Sequence, residues 1–225
     1  MGELLYVSDV SPYRHAPGEP AMAGAHQSLG SAAKVLEQIA VLCGLGFRHA
    51  GTVRDIMTED LENARVLALF TIGETPWSQA QREIIEQRAG SGALGIVGLH
   101  AATDAAYGWP AIGELLGGRF GGHPITGDLP ITVVDADHPA TAHLPSPWHF
   151  RDELYLFGDL VPDARVLLAV DLGPTARLPL AWCVERPPMR TFYTALGHFV
   201  AAYENADYLE HVRGGIQWVL QGSGS

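Results

Sequence analysis

"ALGIVGLHAATD", residues 93–104, decides the fold. Residues 93–99 are nearly all apolar, which suits a short strand covered on both faces. Such a strand belongs in the middle of an open parallel sheet, and a sheet of that kind places its chemistry just beyond the carboxyl ends of its strands. His100 stands at that point, followed by two alanines, a threonine and Asp104. Hydrolytic α/β enzymes put a Ser or Cys nucleophile at comparable strand-to-helix turns. Here the turn carries an imidazole, with Gly98 and the alanines leaving space around it.

The flanking sequence alternates strand and helix, the signature of a mostly parallel sheet with helices on both faces. Upstream, 3–9, 47–53 and 65–72 read as strands. A helix is predicted over 26–43, with apolar residues at helical spacing and Gly44 and Gly46 as its stop. Thr75 and Pro76 read as the N-cap and first residue of a second helix reaching Arg88. Downstream, "GWPAIGELLGG" holds a short helix, and 131–135, 153–157, 166–170, 180–184 and 191–196 read as strands. Some of these lie too close together for helical crossovers, so this part of the sheet is expected to be mixed or antiparallel. A last helix is predicted over 206–220. No repeat, linker or low-complexity block interrupts the chain, so a single domain over 1–225 is expected.

Composition narrows the function classes. The chain has 225 residues, 47% hydrophobic and 17% charged, within the ordinary globular range. Its net charge is −11, and no Lys/Arg cluster offers a face for a phosphate backbone or an anionic membrane. The start "MGELLYVSDV" has neither a basic region nor a long apolar run, so a cytoplasmic location is expected. Cys43 and Cys183 form no CxxC pair, so no local redox or zinc motif is legible. "GSGALG" (90–95) fits GxGxxG in letters only: it follows a helix and precedes a strand, the reverse of the dinucleotide-binding context. Its glycines read as a helix stop.

Three histidines follow three separate strands: His15 after the first, His100 after the central one and His198 in "YTALGHF" after a late one. Parallel strands bring such loops to one sheet edge, and converging neutral imidazoles are a metal-ligand set. A divalent ion, zinc first, is the cofactor expected from them. Taken singly, each histidine reads equally well as a structural cap. Asp104, four residues past His100, and the pair Asp152–Glu153 are the carboxylates available as ligand, ligand support or general base, against a reading as solvated strand ends. Glu153, Asp104 and His100 are the candidates for catalysis. His123, Trp109, Arg190 and Tyr193 are the candidates for substrate binding, although Tyr193 also suits the core. His123 and His138 each precede a proline and read first as extended turn residues.

"SPYRH", "GIVGLHAATD", "WPAIGELLGGRFGGHP", "DHPAT", "RDELYLF" and "RTFYTALGH" occur in that order. Together they resemble the ThuA-like, trehalose-utilisation family over residues 3 to about 220. The resemblance implies the fold of class I glutamine amidotransferases, a flavodoxin-like three-layer α/β sandwich whose mostly parallel sheet carries an antiparallel extension. It also implies that His100 occupies the elbow where those amidotransferases carry cysteine, and that His198 occupies the position of its histidine partner. With Cys43 at a helix end and Cys183 in mid-strand, glutamine hydrolysis through a thioester is excluded. Leu178 and the segment "ERPPMR" depart from the family pattern.

The function implied is a carbohydrate-active enzyme of sugar catabolism, a metal-assisted lyase, hydrolase or isomerase acting on a keto-sugar or 3-keto-glycoside. A metal-free histidine acid/base enzyme and a non-catalytic sugar-binding module are the alternatives. The expected partner is a small carbohydrate, without nucleic acid or membrane, and the sequence leaves a homo-oligomer open.

Overall fold

A computed structural model describes residues 2–12, 26–158, 160–173 and 176–222. Among the described residues nine strands form one sheet: β1 (Glu3–Val7), β2 (Gly46–Ala50), β3 (Ala64–Leu69), β4 (Gly95–Leu99), β5 (Phe120–Val133), β6 (Trp148–Phe157), β7 (Arg165–Asp171), β8 (Arg177–Arg186) and β9 (Met189–Thr194). Their order is β2-β1-β3-β4-β9-β8-β7-β5-β6. The first five run parallel and the rest pair antiparallel. This is the mixed architecture expected from the strand spacing, with β4 in the middle of the parallel half and every residue of it buried.

Five α-helices among the described residues accompany the sheet: α1 (Leu29–Leu42), α2 (Thr58–Asn63), α3 (Gln79–Gly90), α4 (Pro110–Leu116) and α5 (Ala206–Gln221). Gly95 and Gly98 point to opposite faces of β4, the first against Val219 of α5 and the second against Leu116 of α4. Helices α5 and α4 therefore lie on opposite faces of the sheet, while α2 packs against α3 and both α1 and α5 pack against the short 3-10 turn Val200–Glu204. No helix among the described residues is long and apolar enough to cross a membrane.

Several boundaries differ from the sequence reading. Helix α1 starts at Leu29 rather than 26, which leaves His26 in the loop ahead of it. Helix α3 is capped by Ser78, not Thr75. The Ser78 hydroxyl accepts from the Gln81 amide at 3.3 Å and the Gln81 side chain accepts from the Ser78 amide at 2.9 Å, so the reciprocal pair sets the start. The short helix α2 was not expected. Strand β5 extends over 14 residues instead of the predicted five, because "FGGHPITGDLP" pairs with β6 through two register shifts near Gly122 and Pro124. Glycine and proline hide a strand from periodicity, yet bulges admit both. His123 therefore stands on a strand, not in a turn. The glycines of "GSGALG" do end α3, with Gly92 at φ +74°.

Candidate functional site

Strands β4 and β9 are parallel neighbours, with Leu99 opposite Thr194. The residues that follow them, His100 and the segment 195–198, therefore meet at one sheet edge. His100 has φ +46°, a left-handed conformation uncommon for a residue with a side chain. The Tyr193 hydroxyl donates to the His100 carbonyl at 2.6 Å, and Thr103 Oγ1 lies 3.0 Å from the same hydroxyl. Gly98 makes this strut fit, since a Cβ there would stand 2.7 Å from both Leu116 and Tyr193 carbons.

The His100 ring is fully buried and anchored, its Nδ1 lying 2.7 Å from the Ala195 carbonyl oxygen. A carbonyl only accepts, so Nδ1 carries the proton and Nε2 offers a lone pair. Around Nε2 stand the Tyr155 hydroxyl at 3.0 Å, His198 Nδ1 at 3.2 Å and Glu153 Oε2 at 3.5 Å. Glu153 Oε2 is also 3.3 Å from His198 Nδ1, and its Oε1 is 3.6 Å from His123 Nδ1. The third imidazole is His26, whose ring centre lies 5.1 Å from that of His100 and 5.2 Å from that of His198. Phe70, at the end of β3, packs edge-on against both His26 and His100.

His26, His100 and His198 each present a ligand atom, all within 4.8 Å of one another. Two nitrogens bound to one tetrahedral zinc at 2.0–2.1 Å are about 3.4 Å apart. The anchored His100 ring and its lone pair satisfy the ligand chemistry, so this three-histidine group could bind a divalent ion.

The surroundings push these groups apart in basicity. Burial drives His100 down to about 3, against the pull of its bond to Ala195. Burial likewise takes His26 to about 4, helped by the nearby His198. His198 is raised, first by its hydrogen bond with Glu153. Burial alone would raise Glu153, but His198, His100 and His123 together hold its carboxyl below the usual range. Tyr155 is pushed well above its ordinary value by burial, so it keeps its proton.

The structure brings the candidates His100, His198, Glu153 and His123 together. His15 lies outside the described residues; among the described residues the imidazole that joins His100 and His198 is His26, from the far end of the same β1–α1 loop. Counting every residue of that loop, rather than only those next to β1, would have found it. Tyr155 was also missed; it shares a strand face with Glu153 by simple alternation. The remaining candidates sit elsewhere. Asp104 does not turn to His100 but accepts from the Tyr107 hydroxyl at 2.5 Å. Tyr193 is fully buried beneath the elbow. Trp109 is buried, its indole donating to Glu86 at 2.6 Å and its ring against Trp77. Arg190, near the start of β9, is at the strand end opposite His198 and pairs with Glu185 and the Trp218 ring.

A family model described as ThuA, trehalose utilisation, matches residues 20–219. The chain belongs to the ThuA family. ThuA-like proteins of known structure share its fold. One from Bacteroides uniformis is 21% identical, with a TM-score of 0.73 over 97% of this chain and 90% of the other. One from Parabacteroides merdae is 20% identical, with a TM-score of 0.73 over 100% and 91%. A glutamine amidotransferase aligns at a TM-score of 0.51 and 15% identity, over 85% of this chain and 94% of the other. A search of curated proteins returns no match. In this ThuA chain, Cys43 caps the end of α1 and Cys183 is buried in β8, so neither cysteine stands at the elbow.

Proposed function

We propose that this ThuA protein is a metal-assisted enzyme acting on an oxidised sugar, with a 3-keto-glycoside as the substrate class. The observation that carries the reading is the meeting of His26, His100 and His198 with the carboxylate of Glu153. His26, His100 and His198 would hold a divalent ion, and the ion would supply positive charge to polarise a substrate oxygen.

The chain's own groups divide the remaining work. Glu153 faces the cluster as a carboxylate held in its ionised form, ready to accept a proton from carbon. A keto group acidifies the neighbouring C–H bond. When Glu153 takes that proton, the C–H electron pair becomes a C=C bond to the anomeric carbon. The glycosidic C–O bond breaks, and the departing oxygen takes up a proton at the mouth of the site. His123 stands there, its side chain 43% exposed. Tyr155 retains its hydroxyl proton and donates from the floor of the site. Phe70 covers the imidazoles from below.

The test is metal analysis of untagged protein purified without chelator, followed by assay on a 3-keto-glycoside. The reading expects bound divalent metal, turnover of the oxidised glycoside, and loss of both on chelation. Protein that neither carries nor takes up metal overturns the ligand assignment.

A second reading rests on the opposite shifts of His100 and His198, which lie 3.2 Å apart. Two groups driven apart in basicity suit a general acid and base without metal. It expects the same substrate class and no effect of chelators.

A further inference from the structure

Glu153 and His198 face each other across the site, yet Glu153 lies on β6 and His198 follows β9, two strands that are not paired in the sheet. Strand β6, which carries Glu153, is separated from β9 by β8, β7 and β5 in the sheet order. No ladder between β6 and β9 fixes how far apart the two side chains stand. Asp152 supplies a direct connection. Its carboxylate accepts from the Gly197 amide at 2.7 Å, from the His198 amide at 3.3 Å and from its own neighbour, the Glu153 amide, at 2.8 Å.

We propose that Asp152 is the positioning residue of the site: one buried carboxylate clamps the Glu153 backbone and the His198 backbone to a common point and so sets their side chains 3.3 Å apart before any ligand arrives. This inference rests on the reading of His198 as a metal ligand.

Three features make the clamp specific. Asp152 is fully buried, and a buried charge is sustained only when donors surround it. The three amides are those donors. The neighbours Arg151 and Glu153 point to the other strand face, so the register that aims Glu153 into the site necessarily aims Asp152 behind it. Gly197 has φ +116°, and a Cβ there would collide with the Tyr208 and Tyr203 hydroxyls, so the turn presenting the two amides needs glycine. Asparagine in place of Asp152 is isosteric but can accept on only one atom, so it cannot satisfy all three amides.

The experiment measures zinc affinity by competition with a chromophoric chelator for the wild type, Asp152→Asn, His198→Ala, His26→Ala and the two double variants. Asp152→Asn is expected to weaken zinc about 10- to 100-fold, the range for groups that orient a ligand. Combined with His198→Ala it should add little, because it acts through His198. Combined with His26→Ala its full effect should persist. Equal additivity in both backgrounds, or unchanged zinc affinity in Asp152→Asn, overturns the proposal.

Amide hydrogen exchange of the metal-free wild type provides a second readout, independent of zinc and of any variant's folding. The Gly197, His198 and Glu153 amides should be strongly protected without metal; fast exchange at Gly197 and His198 overturns the clamp. A wild type that binds no zinc but protects these amides overturns the ligand reading of His198, and with it the positioning role, while leaving the clamp as a structural contact.

Discussion

The Tyr193 hydroxyl donates to the His100 carbonyl oxygen at 2.6 Å, so a residue read from the sequence as a substrate contact is the strut that holds the elbow in its left-handed conformation. Tyr193→Phe leaves a buried carbonyl without this donor, a loss of about 1–3 kcal/mol. It also frees the His100 backbone to relax. Urea unfolding should show that destabilisation, and zinc titration should show weakened binding although Tyr193 touches no ligand atom.

His100→Asn separates the ring from the backbone. Asparagine tolerates positive φ better than most residues, so the strained conformation itself does not oppose folding of the variant. The imidazole that points Nε2 into the cluster is gone. The variant should fold with a circular dichroism spectrum like the wild type and bind zinc at least 100-fold more weakly. Wild-type zinc affinity in this variant would remove His100 from the ligand set.

Glu153→Gln tests proton transfer separately from ligand binding. The amide keeps the shape but cannot accept a proton from carbon. Turnover of a 3-keto-glycoside should fall by about 10²–10⁴-fold, while zinc affinity changes by no more than about 10- to 100-fold. A variant with near-normal turnover assigns the base elsewhere.

His211 governs part of the acid stability, far from the proposed chemistry. It is fully buried on α5, with its Nδ1 2.8 Å from the Ala140 carbonyl, and burial drives it down to about 3. The unfolded chain binds that proton near 6.5. Between these values the unfolded state holds more protons, so stability falls as pH drops, by up to about 1.4 kcal/mol per pH unit for this one group. The contribution is intact above pH 6.5 and lost progressively toward the folded value of about 3. Denaturant unfolding between pH 7 and pH 4 should show a shallower decline for His211→Gln than for the wild type.

Much of this architecture was legible in the chain. The buried run before His100, the alternation of strand and helix, and the crowded strands after residue 130 gave the sheet and its antiparallel part, because burial and periodicity are local properties. The upstream half of β5 was hidden, since glycine and proline carry no period-two signal and a bulge admits them. At the site, His100, His198 and Glu153 could each be placed near a strand end, whereas His123 read as an extended turn residue.

What the amino-acid sequence determined by itself was therefore the buried central strand and the position of His100 and His198 just past the ends of two strands. It also determined that no cysteine stands at the elbow. Only the tertiary structure decided which side chains meet. It brought His26 to the cluster from a long loop, turned Asp104 away to Tyr107 and sent Tyr193 beneath the elbow. It set Glu153 of β6 against His198 although three strands separate β6 from β9 in the sheet order. The physical reason is that strand position depends on local hydrophobic pattern. Distances between loops depend on sheet order, curvature and side-chain clamps such as Asp152, which join residues distant in the chain.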